Sequence, residues 1–150
     1  RCIMDKIKVL IVEDRDIIRD RIRLSLARYE NITISGEARD GCEAVACVKK
    51  RDYDVILMDI NMPNMNGIQA TKEIKKLNPA IEILAHSFFL NSERVYDMID
   101  GGAKGVIKKG ESSSVYAEAI GAVANGTIYL SEEIHYSIYE KVLGYLKQSA

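Results

Sequence analysis

The chain has 150 residues, 47% of them hydrophobic and 29% charged, which is enough apolar material for one ordinary domain with a short appendage. A formal net charge of -1 excludes a surface evolved to coat nucleic acid or an anionic membrane, since both require a basic face. No apolar run approaches the roughly 20 residues of a membrane span, and the opening Arg1 to Lys6 is too short and polar for a signal peptide. The natural start is expected at Met4. Cys2, Cys42 and Cys47, an odd set without secretory features, read as reduced thiols of a cytoplasmic protein. Cys42 and Cys47 share one predicted helix with no histidine nearby to complete a metal set, so they read as small hydrophobic side chains.

In chain order, Ile7 to Val12 (IKVLIV) is short, β-branched and almost wholly apolar, the pattern of a strand buried on both faces. From about Asp16 to Tyr29, the residues Ile18, Ile22, Leu26 and Tyr29 share one helical face. Ile32 to Glu37 forms a second strand, and Ala44, Val45 and Val48 mark a helix after the Asp40-Gly41 turn. Tyr53 to Met58 is a third buried strand that stops at Asp59, followed by loop chemistry from Asn61 to Gly67. Ala70, Ile74 and Leu77 supply the next helix, ended by Asn78-Pro79. Ile81 to Ala85 is a fourth strand. Asn91 or Ser92 caps a helix carrying Val95, Met98 and Ile99, stopped by Gly101-Gly102. Gly105 to Ile107 is a short fifth strand, and Tyr116, Ala119, Ile120 and Val123 define a fifth helix that closes near Asn125-Gly126. Strict strand-helix alternation implies parallel strands joined by right-handed crossovers in an open doubly wound α/β sheet. A closed eight-stranded barrel needs far more chain, typically about 250 residues.

Ligands of such sheets bind beyond the carboxyl ends of the strands. Here the first strand ends on Glu13-Asp14, the third on Asp59, the fourth on Ser87 and the fifth on Lys108-Lys109. Any one of these alone reads as a solvated strand end or a turn cap; together they supply what one reaction needs. Three clustered carboxylates repel unless a cation lies among them, and oxygen-only ligands favour Mg²⁺. A hard metal, a lysine and a hydroxyl are suited to the oxygens of an incoming phosphoryl group, with one carboxylate as nucleophile. Asp59 suits that role, standing alone at the end of a central strand before an irregular loop.

With Glu13-Asp14 after a buried strand, the run Asp59-Ile60-Asn61-Met62-Pro63-Asn64-Met65-Asn66-Gly67, Ser87, and Lys109 after Gly105 to Lys108, the chain closely resembles the response-regulator receiver domain of two-component systems from about Lys8 to Gly126. The resemblance implies a flavodoxin-like five-stranded sheet of order 2-1-3-4-5, here with a C-terminal extra helix. It implies Asp59 as phosphoacceptor, Asp14 holding Mg²⁺ directly, Glu13 holding it through water, and the Asn61 backbone carbonyl as a further ligand. Ser87 takes the place of the switch hydroxyl and Lys109 of the lysine that pairs with a phosphoryl oxygen. Lys108 is expected to point away from the cleft. The phosphoryl donor is a histidine kinase or phosphotransfer protein, and the domain is no enzyme in its own right but assists its own phosphorylation and dephosphorylation.

Three positions depart from the family pattern: Val106 where an aromatic switch residue is common, Gly110 where proline commonly follows the lysine, and Phe88 where a small residue is common. Output is therefore expected to rely on Ser87 and the loop and helix after it, with no aromatic relay at 106. Phe88 is expected to restrict water and slow hydrolysis of the acyl phosphate.

The receiver is assigned to residues 7–127, and a linker with an amphipathic helix to 128–150. Gly126 to Ser131 resembles the linker of the subfamily whose members carry a C-terminal helix-turn-helix domain. Ser131 is the expected N-cap, Glu132 and Glu133 favour the helix dipole, and Ile134, Ile138, Val142 and Leu146 form an apolar stripe that packs either on its own domain or on a partner, including a second copy after phosphorylation. From Glu111 onward five acids face two lysines, so DNA is contacted only through a further C-terminal domain outside this chain. The signalling module is either a transcription regulator or a stand-alone receiver of a phosphorelay. Two other classes compete. An aspartyl-nucleophile phosphohydrolase needs a second acid where this chain has Asn61, and a flavin binder needs a Gly-, Ser- or Thr-rich loop where it has Glu13-Asp14-Arg15-Asp16.

Overall fold

A computed structural model describes residues 5–132, 134 and 136–149, with the backbone alone at 136–139. Cys2, Glu133 and the Ile138 side chain, which entered the expectations, lie outside the described residues. The elements are β1 (Ile7–Val12), α1 (Asp16–Leu26), β2 (Ile32–Ala38), α2 (Gly41–Lys50), β3 (Val55–Asp59), α3 (Gly67–Leu77), β4 (Glu82–Ser87), α4 (Ser92–Asp100), β5 (Gly105–Lys108), α5 (Ser113–Ala124), β6 (Tyr129–Leu130) and α6 (Tyr136–Ser149). All strand pairs are parallel, in the order β2-β1-β3-β4-β5-β6. The 2-1-3-4-5 order is thus present, with one strand more than expected. That strand forms because the chain leaving α5 runs along the free edge of β5, where Ser131 N–H donates to the Val106 carbonyl at 3.0 Å. Two residues are too few to carry a periodic signature in sequence.

Alternation along the strands divides the core. Leu10, Val12, Ile56, Met58, Ile83, Ala85 and Val106 face α2, α3, α4 and α6. Val9, Ile11, Val55, Leu57, Leu84 and Ile107 face α1 and α5. Helix starts are fixed by side-chain caps: Asp40 accepts from Glu43 N–H, Asn91 from Arg94 N–H, and Asn66 forms a reciprocal capping box with Gln69. Leu77, expected on the core face of α3, is instead 48% exposed as the last residue of that helix.

The tail also departs from expectation. Ser131 is not an N-cap, because the helix starts only at Tyr136, while its N–H donates to the Val106 carbonyl of β5. Glu132 accordingly precedes the first turn. The expected stripe packs on its own domain: Ile134 and Val142 are buried, and Leu146 lies against the same core.

The turn from β3 into α3 requires glycine at 67. A Cβ there would lie 2.1 Å from the Asp59 carbonyl oxygen and 2.9 Å from Ile60 Cα, both backbone atoms that cannot step aside. Gly67→Ala is expected to cost about 3 kcal/mol of folding stability by urea denaturation, from overpacking against backbone.

Candidate functional site

The parallel sheet delivers four strand ends to one edge. Glu13 follows β1 and is anchored by its N–H to the Ala38 carbonyl at 3.0 Å; Lys109 follows β5 and is anchored by its N–H to the Ser87 carbonyl at 2.9 Å. Asp59 closes β3 opposite His86, and Ser87 closes β4 opposite Lys108. Glu13 is fully buried, Asp59 is 2% exposed and Lys109 7%. The Lys109 Nζ lies 2.5 Å from Glu13 Oε1 and 3.0 Å from Asp59 Oδ1. Glu13, Asp14 and Asp59 each offer a carboxylate oxygen within 4.8 Å of the others. The sheet therefore brings together Glu13, Asp14, Asp59 and Lys109, as expected from the strand ends.

One ammonium lies between two buried carboxylates, Glu13 and Asp59, with the less buried Asp14 beside them, so negative charge is in excess at the site. Burial, then the charge of Glu13, push the Asp59 carboxyl up to about 7, against the opposing pull of Lys109. A small divalent cation fits this surplus, and the donor set is all oxygen, the chemistry a hard ion requires.

Ser87 and Asn61 are adjacent but otherwise engaged. The Ser87 hydroxyl closes a turn on Phe89, accepting from its N–H and donating to its carbonyl, both at 3.3 Å. Asn61 N–H donates to Asp59 Oδ1 at 3.3 Å, while the Asn61 side-chain oxygen accepts from the Arg94 guanidinium on α4. The Phe88 ring lies at the mouth between two cations, 5.2 Å from Lys109 Nζ and 5.7 Å from the Arg15 guanidinium carbon. Beneath the site, His86 is fully buried against Tyr116, its Nδ1 3.5 Å from the phenol oxygen. Burial and then Lys109 push the His86 imidazole down to about 3, so it is neutral and leaves the ammonium as the local cation. Arg15, His86 and Arg94 were given no site role from sequence, and Tyr116 only a place on the face of the fifth helix. A histidine inside an otherwise apolar strand was a visible signal; Arg94 and Arg15 read as ordinary surface charges.

The departures at 106 and 110 have plain structural expression. Val106 is fully buried in the sheet between Ala85 and Leu130. Gly110 has φ 93°, a conformation that the proline ring forbids.

Residues 9–120 match the profile of the response regulator receiver domain, and the chain belongs to that family. It is 36% identical over 122 residues to the uncharacterized transcriptional regulatory protein YxjL of Bacillus subtilis (strain 168), covering 81% of this chain and 56% of that protein. It is 30% identical over 137 residues to the transcriptional regulatory protein DegU of Brevibacillus brevis, covering 91% and 58%. Among solved structures, a LuxR-family two-component response regulator from Aurantimonas sp. SI85-9A1 superposes with TM-score 0.85 at 26% identity, covering 93% of this chain and 99% of that one. The chain thus spans little more than half the length of the curated relatives it matches.

The pocket's charge makes two substitutions act in opposite directions. The folded-state value of Asp59 lies above its ordinary 3.8, so its ionisation erodes stability as pH rises from there toward about 7. At pH 8 with EDTA, Asp59→Asn is expected to raise urea-unfolding stability by about 1–3 kcal/mol. Lys109→Met, which leaves Glu13 and Asp59 facing each other without a cation, is expected to lower it by about 3–5 kcal/mol.

Proposed function

We propose that Asp59 accepts a phosphoryl group from the phosphohistidine of a histidine kinase or phosphotransfer protein, and that the resulting acyl phosphate switches the output of a longer transcription regulator. The observation that carries this is the placement of Asp59: it is buried at the end of β3, 3.0 Å from the Lys109 ammonium and beside two further carboxylates. Glu13, Asp14, Asp59 and the Asn61 carbonyl would hold Mg²⁺, which supplies charge neutralisation for the phosphoryl oxygens when bound.

The chain's own groups do the rest. An Asp59 oxygen attacks phosphorus, and the O–P bond forms as the P–N bond breaks. The electron pair of that bond stays with the imidazole, which takes up a proton. Lys109, held between Glu13 and Asp59, pairs with a phosphoryl oxygen as the carboxylate charge is consumed. Ser87 exchanges its long bonds to Phe89 for a shorter, charge-assisted bond to the phosphoryl group. The receiver spans 7–127 and the chain from 128 leads toward a DNA-binding domain outside it, in keeping with relatives named as transcriptional regulators. Dimerisation after phosphorylation belongs to the same reading. The protein acts in the cytoplasm, and among the described residues no helix is long and apolar enough to cross a membrane.

Incubation with Mg²⁺ and phosphoramidate is expected to add one phosphoryl group by intact mass, and Asp59→Asn is expected to add none. An equal gain in both would overturn the assignment. Phe88, packed between Arg15 and Lys109, screens the site from water. Phe88→Ala is expected to lose phosphate about threefold to tenfold faster, an increment of about 1 kcal/mol in the barrier. Loss at the parent rate would remove Phe88 from this role.

A further inference from the structure

The loop that carries Glu13 and Asp14 is held by a single guanidinium. Arg19 of α1, its side chain 13% exposed, donates through Nη1 to the Glu13 carbonyl at 2.8 Å and through Nη2 to the Asp16 carboxylate. Its Nε lies 3.3 Å from Glu37 Oε1, near the end of β2. Next to Glu37, the Ala38 carbonyl accepts the Glu13 N–H at 3.0 Å, so both peptides of Glu13 are tied to the end of β2. Helix α1 begins without a side-chain cap. Its N-cap residue is Arg15, whereas Asp40, Asn66, Asn91 and Ser112 cap α2 to α5.

The Arg19 fork supplies the anchorage that a cap gives elsewhere. A guanidinium is planar, permanently charged and rich in donors, so it binds one carbonyl and two carboxylates at once; an ammonium on a flexible stem does not. Asp16 and Glu37 offset its charge, so what it gives the loop is a fixed geometry and not a field. The carbonyl it holds belongs to the peptide that joins Glu13 to Asp14, and that peptide sets the direction in which Asp14 leaves the strand.

We propose that Arg19 is a positioning residue for the cation site: it fixes the Glu13-Asp14 peptide so that the Asp14 carboxylate stays within reach of the ion that Glu13 and Asp59 share. The proposal rests on Glu13, Asp14 and Asp59 holding Mg²⁺. Three carboxylates within 4.8 Å of one another repel, so each has to be anchored if all three are to converge. Glu13 has the Lys109 ammonium at 2.5 Å and the Arg15 N–H at 3.0 Å, and Asp59 has Lys109 at 3.0 Å. Asp14, the least buried of the three, is directed by the peptide that Arg19 holds. Groups that orient a metal's ligands without touching the metal carry about tenfold to hundredfold in affinity. A cation acting through its charge alone has the opposite effect, because it repels the incoming ion.

Titration with Mn²⁺, a hard ion that takes the same oxygen donors, tests this by the paramagnetic resonance signal of the free ion. Arg19→Gln is expected to bind Mn²⁺ about tenfold more weakly, although it removes a positive charge. Arg19→Lys, which keeps the charge but loses the fork, is expected to bind about threefold to fivefold more weakly and serves if the first variant does not fold. Arg23 binds Asp20 and Glu37 without touching the loop, and Arg23→Gln is expected to stay within about twofold of the parent. Phosphoryl uptake by Arg19→Gln is expected to be slow at limiting Mg²⁺ and to reach the parent rate at saturation. A rate that stays low at saturating Mg²⁺ places Arg19 in the transfer step and overturns the positioning role. Equal or tighter Mn²⁺ binding by the Arg19 variants, or equal weakening by Arg23→Gln, overturns the proposal and leaves the acidic site standing. No Mn²⁺ binding by the wild type overturns both.

Discussion

One ammonium held between two buried carboxylates, with a third carboxylate beside them at the edge where parallel strands end, constrains much of the surrounding structure. Lys109 can reach Glu13 and Asp59 together only because β1, β3 and β5 terminate at the same level, and that follows from the parallel pairing of β1, β3, β4 and β5. The arrangement concentrates negative charge where burial has removed most of the water that would screen it. It is costly for folding, and the surplus negative charge is of the kind a small divalent cation offsets. The local rules broken nearby are consistent with that cost: a glycine pressed against the Asp59 backbone, Asn64 at φ 66° in the loop that follows, and a buried neutral histidine under the site.

The surroundings also restrict how a change at Asp59 can spread. Val106 is packed on both sides within the sheet and has no ring to turn inward. The Ser87 turn on Phe89 is closed by two long hydrogen bonds, and the Asn61 to Arg94 link spans 33 residues of sequence. Both attach to the first turn of the same helix. The Phe88 ring lies between Arg15 and Lys109, away from α4.

The C-terminal segment shows how a polar-apolar pattern can be right about burial and wrong about geometry. Ile134 and Val142 are buried as their four-residue spacing implied, yet Ile134 precedes the helix. Ser131 has the chemistry of a cap, but its backbone pairs with the open edge of β5 and the helix begins five residues later, at Tyr136. Edge pairing by β6 also covers a row of backbone groups that would otherwise template association.

The first five strands and five helices, the Asn91 cap, and the convergence of Glu13, Asp14, Asp59 and Lys109 were legible in the amino-acid sequence. Each depends on local periodicity or on the single topological rule that parallel strands end together. Tertiary structure alone decided the rest. That Phe88 lies between two cations, that Arg94 bonds Asn61 and that Tyr145 meets Asp100 are contacts between residues far apart in the chain. No residue type or spacing announces them, because they exist only after the crossovers have set α4 and α6 on one face of the sheet and α1 and α5 on the other.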